Sequence, residues 1–270
     1  MSSKKAFHSM AKTIILNHIH AFESKKSKLE PGRYSTSNRR PGRPRVLSQS
    51  YVLDRILYLL QTGCQWSHLP VVNGTWHAIY SYYSIWTKEN LFKHAYNDLL
   101  RVYRKIKPRS NIKIIDTSFV KNVFGSDCVG RSPVDRGRQA SKVSIITDEH
   151  GIPLTLTFHK GNRNDCKTLK HALSQCQFLS PGDRLYADKI YDTKECRELL
   201  SSYSLENCIS KKKQPVKKGE NKIRIRVEHT FGWLDKYRRI ILRYESKVSS
   251  FISMHYLACL HLVGHRLPNE

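Results

Sequence analysis

Residues 224–245 read RIRVEHTFGWLDKYRRIILRYE. The stretch sets one carboxylate, Glu228, inside a strongly basic, amphipathic pattern that predicts a helix. Ile225, Val227, Phe231, Trp233, Leu234 and Tyr237 supply the apolar surface that would seat it. Arg224 precedes Glu228 by four residues, so the two share a helical face. A single Glu among basic residues is ordinarily an ion-pair partner, but two upstream stretches change that reading. IKIIDTSFV (residues 112–120) and DRLYADKIYDT (residues 183–193) are short β-type runs that carry Asp116 and Asp188. Two strand-borne aspartates and one helix-borne glutamate on a very basic chain point to a divalent-metal site that cuts nucleic acid.

Cutting a phosphodiester needs an activated water or hydroxyl in line with the leaving oxygen. Paired Mg²⁺ ions, held by hard oxygen ligands, can stabilise both oxygens. Asp116 follows the apolar run 112–115, which predicts a position at the centre of a sheet. Asp188 follows Leu185, Tyr186 and Ala187 at the end of another strand. Glu228 then has to reach in from a helix packed on that sheet.

Composition supports a polyanionic partner. The chain has 270 residues, 47 Lys and Arg against 22 Asp and Glu, and a formal net charge of +25. Nucleic acid is the first expectation and an anionic membrane surface the second. No apolar run reaches the length of a membrane span, and the N-terminus shows no apolar signal core, so an intracellular protein is expected. Seven cysteines, none in CxxC spacing, read as reduced thiols rather than a zinc ribbon or a disulfide framework. His255, Cys259, His261 and His265 fall at helical spacing, but Leu257, Leu260, Leu262 and Val263 make an ordinary packed helix the better reading.

The order of elements follows from the changes in period. Residues 1–45 hold eleven basic and two acidic residues and several Pro and Gly, and they read as a flexible basic arm with a short helix around 11–22. The arm ends in RPGRPR, residues 40–45. Arg40, Arg43 and Arg45 suit either a minor-groove contact of the AT-hook kind or a plain basic linker. Residues 46–107 read as a small helical, DNA-binding domain whose Trp and Tyr residues form its core. From 108 to 270 the pattern is three strands in succession (112–120, 142–147, 154–158) and a helix at 166–176. A strand at 184–187, a helix at 193–203, a strand at 207–210, the Glu228 helix and a last helix at 247–264 follow. This is the order of an α/β, ribonuclease-H-like mixed sheet flanked by helices.

Five segments in sequence resemble the DDE transposases of bacterial insertion sequences, specifically the insertion sequence five family and its Harbinger-type relatives. They are TGCQWSHLP with NGTWHAIYSYYSIW, IDTSFVK around Asp116, KVSIITDEHGIPLTLTFHKGNRND, YADKIYDT around Asp188, and the Glu228 block. The resemblance runs from about residue 40 to 260. It implies that Asp116, Asp188 and Glu228 are both the catalytic residues and the ligands of Mg²⁺, for which Mn²⁺ can substitute. It also implies cleavage at element ends, joining of the freed 3′-hydroxyl to target DNA, and a homodimer or higher oligomer on DNA. Two positions depart from the wider family: Asn221 stands where a Tyr is common, and Asp235 where a Lys is common, with Lys236 one residue on. The three acids are intact.

Lys211, Lys212 and Lys213, together with Arg224, Arg238 and Arg239, are the expected DNA contacts near the metals, because residues 211–243 carry twelve basic and three acidic residues. Of these Arg238 and Arg239 are weaker candidates, as is Arg243, because surface Arg residues on helices are common. Asp165 and Asp192 read as helix caps, and Asp127 and Asp135 as solvated loop residues. Two other functions use the same residues: a ribonuclease-H-like nuclease without strand transfer, and a domesticated protein that only binds DNA.

Overall fold

A computed structural model describes residues 3–29, 47–212, 214, 215 and 219–266. Arg40, Arg43, Arg45, Lys213, Lys217 and Lys218 lie outside the described residues. The chain divides into two compact units, one of residues 1–103 with 253–270 and one of residues 104–252.

The first unit is helical: α1 (Ser3–Leu29), α2 (Gln49–Thr62), α3 (Trp76–Lys88) and most of α4 (Leu91–Ile106). α1 is longer than the short helix expected within a flexible arm. Ala11, Ile15 and Ile19 recur every four residues and are all buried, giving that helix an apolar stripe to seat. Lys12 bonds Asp54 of α2 at 2.7 Å, and His18 bonds Asp98 of α4 at 2.7 Å. α2 opens on the Ser48 side chain, which accepts the Tyr51 N–H, and closes on Gly63 at φ 71°. Trp86, Tyr83, Tyr96 and Phe92 are all buried, so these aromatic residues are core rather than surface platforms.

The second unit is built on β1 (Ile112–Asn122), β2 (Gly130–Arg131), β3 (Gln139–Thr147), β4 (Pro153–Lys160), α5 (Asp165–Gln175), β5 (Arg184–Tyr186), α6 (Lys194–Ser202), β6 (Glu206–Asn207), α7 (Glu220–Leu234), α8 (Arg238–Ile241) and β7 (Leu242–Arg243). α9 (Val248–Gly264) begins in this unit and continues into the residues assigned to the first. β4, β3 and β1 pair antiparallel in sequence, and β5 and β6 continue beyond β1 in parallel. This is the strand order and direction of a ribonuclease-H-like sheet.

One break in the pairing prepares the site. On the edge of β1 away from β3, Ile112–Ile114 pair with β5, and Lys121 and Asn122 pair with β7. Among the described residues no strand pairs with the stretch between them, which contains Asp116.

The opening segment does not form one continuous helix. α7 ends at Leu234, a turn follows through Asp235 and Tyr237, and the chain becomes α8 and then strand β7. Tyr237 and Leu234 are buried as expected, whereas Ile225 is 42% exposed and takes no part in seating the helix. Arg243 explains the strand that sequence periodicity misses. Its side chain is fully buried and donates to Asp127 Oδ1 at 2.7 Å, Ser141 Oγ at 2.7 Å and the carbonyls of Cys128, Glu245 and Ser246. Those bonds fix β7 beside the end of β1, and they occupy the Asp127 carboxylate, expected to be solvated.

Candidate active site

Side chains alternate across a strand, so Ile114 and Asp116 share one face of β1. In the parallel register Ile114 stands opposite Tyr186. Asp116 and Asp188 each lie two residues further along, and so they leave the sheet side by side on that face. Asp188 stands just past the carboxyl end of β5, where its Oδ1 accepts the Lys189 N–H at 2.6 Å. Asp116 Oδ1 accepts the Thr117 N–H at 2.8 Å.

The same face carries α7. Val227 is buried against Ile114 and Tyr186, with Ile223 and Phe231 packed around it. These three residues recur every four positions, so the neighbouring stripe, Arg224 and Glu228, is displaced by one residue towards the end of β5. Thr230, one turn on, donates to the carbonyl of Gly151 at 2.7 Å and pins α7 to the β3–β4 turn. Gly151 has φ 75°, and a Cβ there would stand 3.0 Å from the Arg226 carbonyl and from the Trp233 ring, so only glycine lets the helix come this close.

Electrostatics tie the three acids together. Burial pushes the Asp116 carboxyl up to about 6; its bond from Thr117 and the Arg224 guanidinium pull it down, while Asp188 and Glu228 push it further up. Arg224 Nη2 lies 3.5 Å from Asp188 Oδ1. Among the described residues no group of three His, Cys, Asp or Glu side chains stands as a ready metal cage. In chemistry the donors suit a hard divalent cation: they are carboxylates, Asp188 and Glu228 are near enough to raise the Asp116 carboxyl, and Arg224 is their cationic neighbour.

The other expected residues fall in three groups. Lys211, Lys212 and Arg238 are exposed. Arg239 is 5% exposed and bonds Glu245 at 2.7 Å, so the expectation of a DNA contact there is corrected: its guanidinium is spent inside the fold. The two expected caps do other work. Asn164 caps α5, leaving Asp165 to pair with the buried Lys142 at 2.8 Å. Thr193 caps α6, leaving Asp192 to bond the Lys212 N–H and Arg197. The sequence does not decide either case, since Asn164 caps as well as Asp165 and Thr193 less well than Asp192 by intrinsic preference. His255 and Cys259 are buried along α9.

The "Transposase DDE domain" family model matches residues 107–263, more than half of the chain, and the model of a putative transposase of the IS4/5 family matches residues 27–95. A putative transposase for insertion sequence element IS402 of Burkholderia cepacia is 31% identical over 144 residues, covering 50% of this chain and 68% of that protein. One for insertion sequence element IS6501 of Brucella ovis is 28% identical over 126 residues, covering 44% of this chain and 94% of that protein. The catalytic domain of Mos1 mariner transposase superposes with a TM-score of 0.29 at 13% identity, covering 64% of this chain and 92% of that one. By the model that spans nearly all of its second unit, the chain belongs to the DDE transposase family.

Proposed function

We propose that Asp116, Asp188 and Glu228 are the catalytic acids of this transposase and hold Mg²⁺, or Mn²⁺ in its place. The family carries out DNA transposition with divalent metal. The observation that supports this assignment is the electrostatic coupling of Asp188 and Glu228 to Asp116, which stands where β1, paired with β3 on one edge, has no strand on the other among the described residues. Metal bound there would stabilise the attacking and leaving oxygens of the phosphodiester. Asp116 and Asp188 would share one ion, and Glu228, exposed on α7, would reach a second together with Asp116.

The chain's own residues do the rest. Arg224 holds Asp188 in place and neutralises part of the acid cluster. Lys211, Lys212 and Arg238 meet phosphates beside it. The basic arm with Arg40, Arg43 and Arg45, Lys213 and the helical unit grip the element ends. Two or more copies assemble on the DNA, wherever the host keeps it, nucleoid or nucleus. The end is first hydrolysed, and the freed 3′-hydroxyl then attacks target DNA at the same site.

The test is end cleavage by the full chain on a labelled duplex carrying the inverted repeat that flanks its gene. Asp188→Ala and Glu228→Gln should abolish cleavage with binding nearly intact, because binding rests on many spread phosphate contacts. Full cleavage in EDTA, or by either variant, would refute the assignment.

A further inference from the structure

The turn that carries Asp188 is bonded twice to the basic loop that follows β6. Asp192, whose side chain is 10% exposed, accepts the Lys212 N–H on Oδ2 at 2.9 Å and faces Arg197 with Oδ1 at 3.2 Å. From the same turn, Lys189 Nζ donates to the Gln214 carbonyl at 2.8 Å. The loop folds back on itself between these points through the Gln214 N–H to Lys211 carbonyl bond at 3.3 Å. Its Lys211 and Lys212 side chains remain exposed. The turn itself is closed: the Tyr191 N–H bonds the Asp188 carbonyl at 3.0 Å, and the Tyr191 ring is buried beneath it. Asp188, Asp192 and the backbone that bears Lys211 and Lys212 are therefore joined by hydrogen bonds.

We infer that Asp192 is a positioning residue that sets the register of the cut: through the Lys212 N–H it holds the phosphate-facing loop at a fixed distance from Asp188. A duplex held by Lys211 and Lys212 then presents one particular phosphate to the acids. Freed from Asp192, the loop still offers its charge but no longer fixes which phosphate arrives. This rests on the proposed roles of Asp188 and of the two lysines.

The experiment maps the cut at single-nucleotide resolution, on the same labelled duplex with Mg²⁺ and the full chain, and separates kcat from KM. Asp192→Ala should spread the cuts over neighbouring phosphates and lower kcat by about 10–100-fold, the scale expected for misplacement of reacting groups. KM should move little, because the loop keeps its lysines. Asp192→Asn retains an oxygen that accepts the Lys212 N–H and should restore the single cut position. Lys189→Met removes the second tether, leaves the Asp192 bonds intact, and should give a milder spread even if Asp192→Ala fails to fold. A single wild-type cut position at wild-type kcat in Asp192→Ala would overturn the inference, as would equal defects in the Asn and Ala variants or an unaltered cut in Lys189→Met. Asp188→Ala run alongside separates the two readings: residual cleavage there refutes the site assignment, whatever Asp192 does.

Discussion

The Arg224 guanidinium on α7 lies 3.5 Å from the Asp188 carboxylate at the end of β5, and its charge also pulls the Asp116 carboxyl down against burial. One side chain thus supplies from within the fold part of the positive charge that a bound divalent cation would supply. The pair is partly exposed, Arg224 at 22% and Asp188 at 50%, so the direct ion pair itself contributes little to stability, within about 1 kcal/mol.

Arg224→Gln should therefore change the response to metal more than the stability of the free protein. Without the guanidinium the acid cluster attracts a cation more strongly. A given Mg²⁺ concentration should then raise Tm further in the variant than in the wild type, since stabilisation follows the ratio of ligand to Kd. Cleavage should fall, because Asp188 loses the contact that orients it. Thermal melts with and without Mg²⁺ check this; an equal or smaller rise in the variant would show that Arg224 and the metal do not share a site.

Arg243 makes the opposite kind of claim. Sequence periodicity puts it on a helix surface as a weak DNA contact, and it is instead a fully buried hub. Arg243→Met should remove five hydrogen bonds at once, although the Ser141 hydroxyl keeps its bond to the Cys128 carbonyl and the Ser246 carbonyl its bond from the Ser126 N–H. Asp127 is half exposed and can be resolvated, so the cost comes chiefly from the buried hydrogen bonds to the hydroxyl and carbonyls, together about 3–5 kcal/mol. At roughly 2–4 °C per kcal/mol for a protein of this size, Tm should drop by about 6–20 °C. Arg243→Lys should recover only part of this, because an ammonium has no planar fork to span those acceptors. The loss should be insensitive to salt. A drop below about 2 °C that vanishes in high salt would return Arg243 to the surface role.

What can be read from the sequence follows a physical divide. The apolar runs before Asp116 and Asp188, and the stripe of Val227 and Phe231 behind Glu228, are periodic signals, and they place all three acids correctly on strand, strand end and helix. The failures lie where tertiary bonds override local pattern. The basic, apolar run after Leu234 keeps helical periodicity, yet the buried bonds of Arg243 draw Leu242 and Arg243 into a strand beside β1. Asp165 and Asp192 each stand next to another residue able to cap, and only the fold reveals Lys142 and the Lys212 N–H as their partners. β2 is two residues long, too short for any alternation to show, and the strand expected at 207–210 is the two-residue β6, Glu206–Asn207.

His159 should make the second unit sensitive to acid. It is 7% exposed on β4, its Nε2 3.0 Å from Thr157 Oγ1, and burial pushes its pKa from 6.5 down to about 4. Electrostatic interaction with His171 on α5, Arg163 before it and Lys142 on β3 acts in the same direction. Because the folded value lies below the unfolded one, the stabilisation is fully present above about pH 6.5 and is lost as pH falls through the window to about 4. Each pH unit across that window is equivalent to about 1.36 kcal/mol, so the loss is at most on the order of 3 kcal/mol. Asp116 works the other way over part of the same range. Its folded value is raised, so its contribution is present below its unfolded value of 3.8 and is lost as pH rises through about 6. Comparing wild type with His159→Gln at each pH cancels the Asp116 contribution, which both chains share. Urea midpoints measured from pH 7 to 4 should converge, with the wild type losing stability faster and the difference levelling off near pH 4. Parallel pH profiles for the two proteins would mean that His159 does not titrate in this window and that its burial is not what makes the fold acid-sensitive.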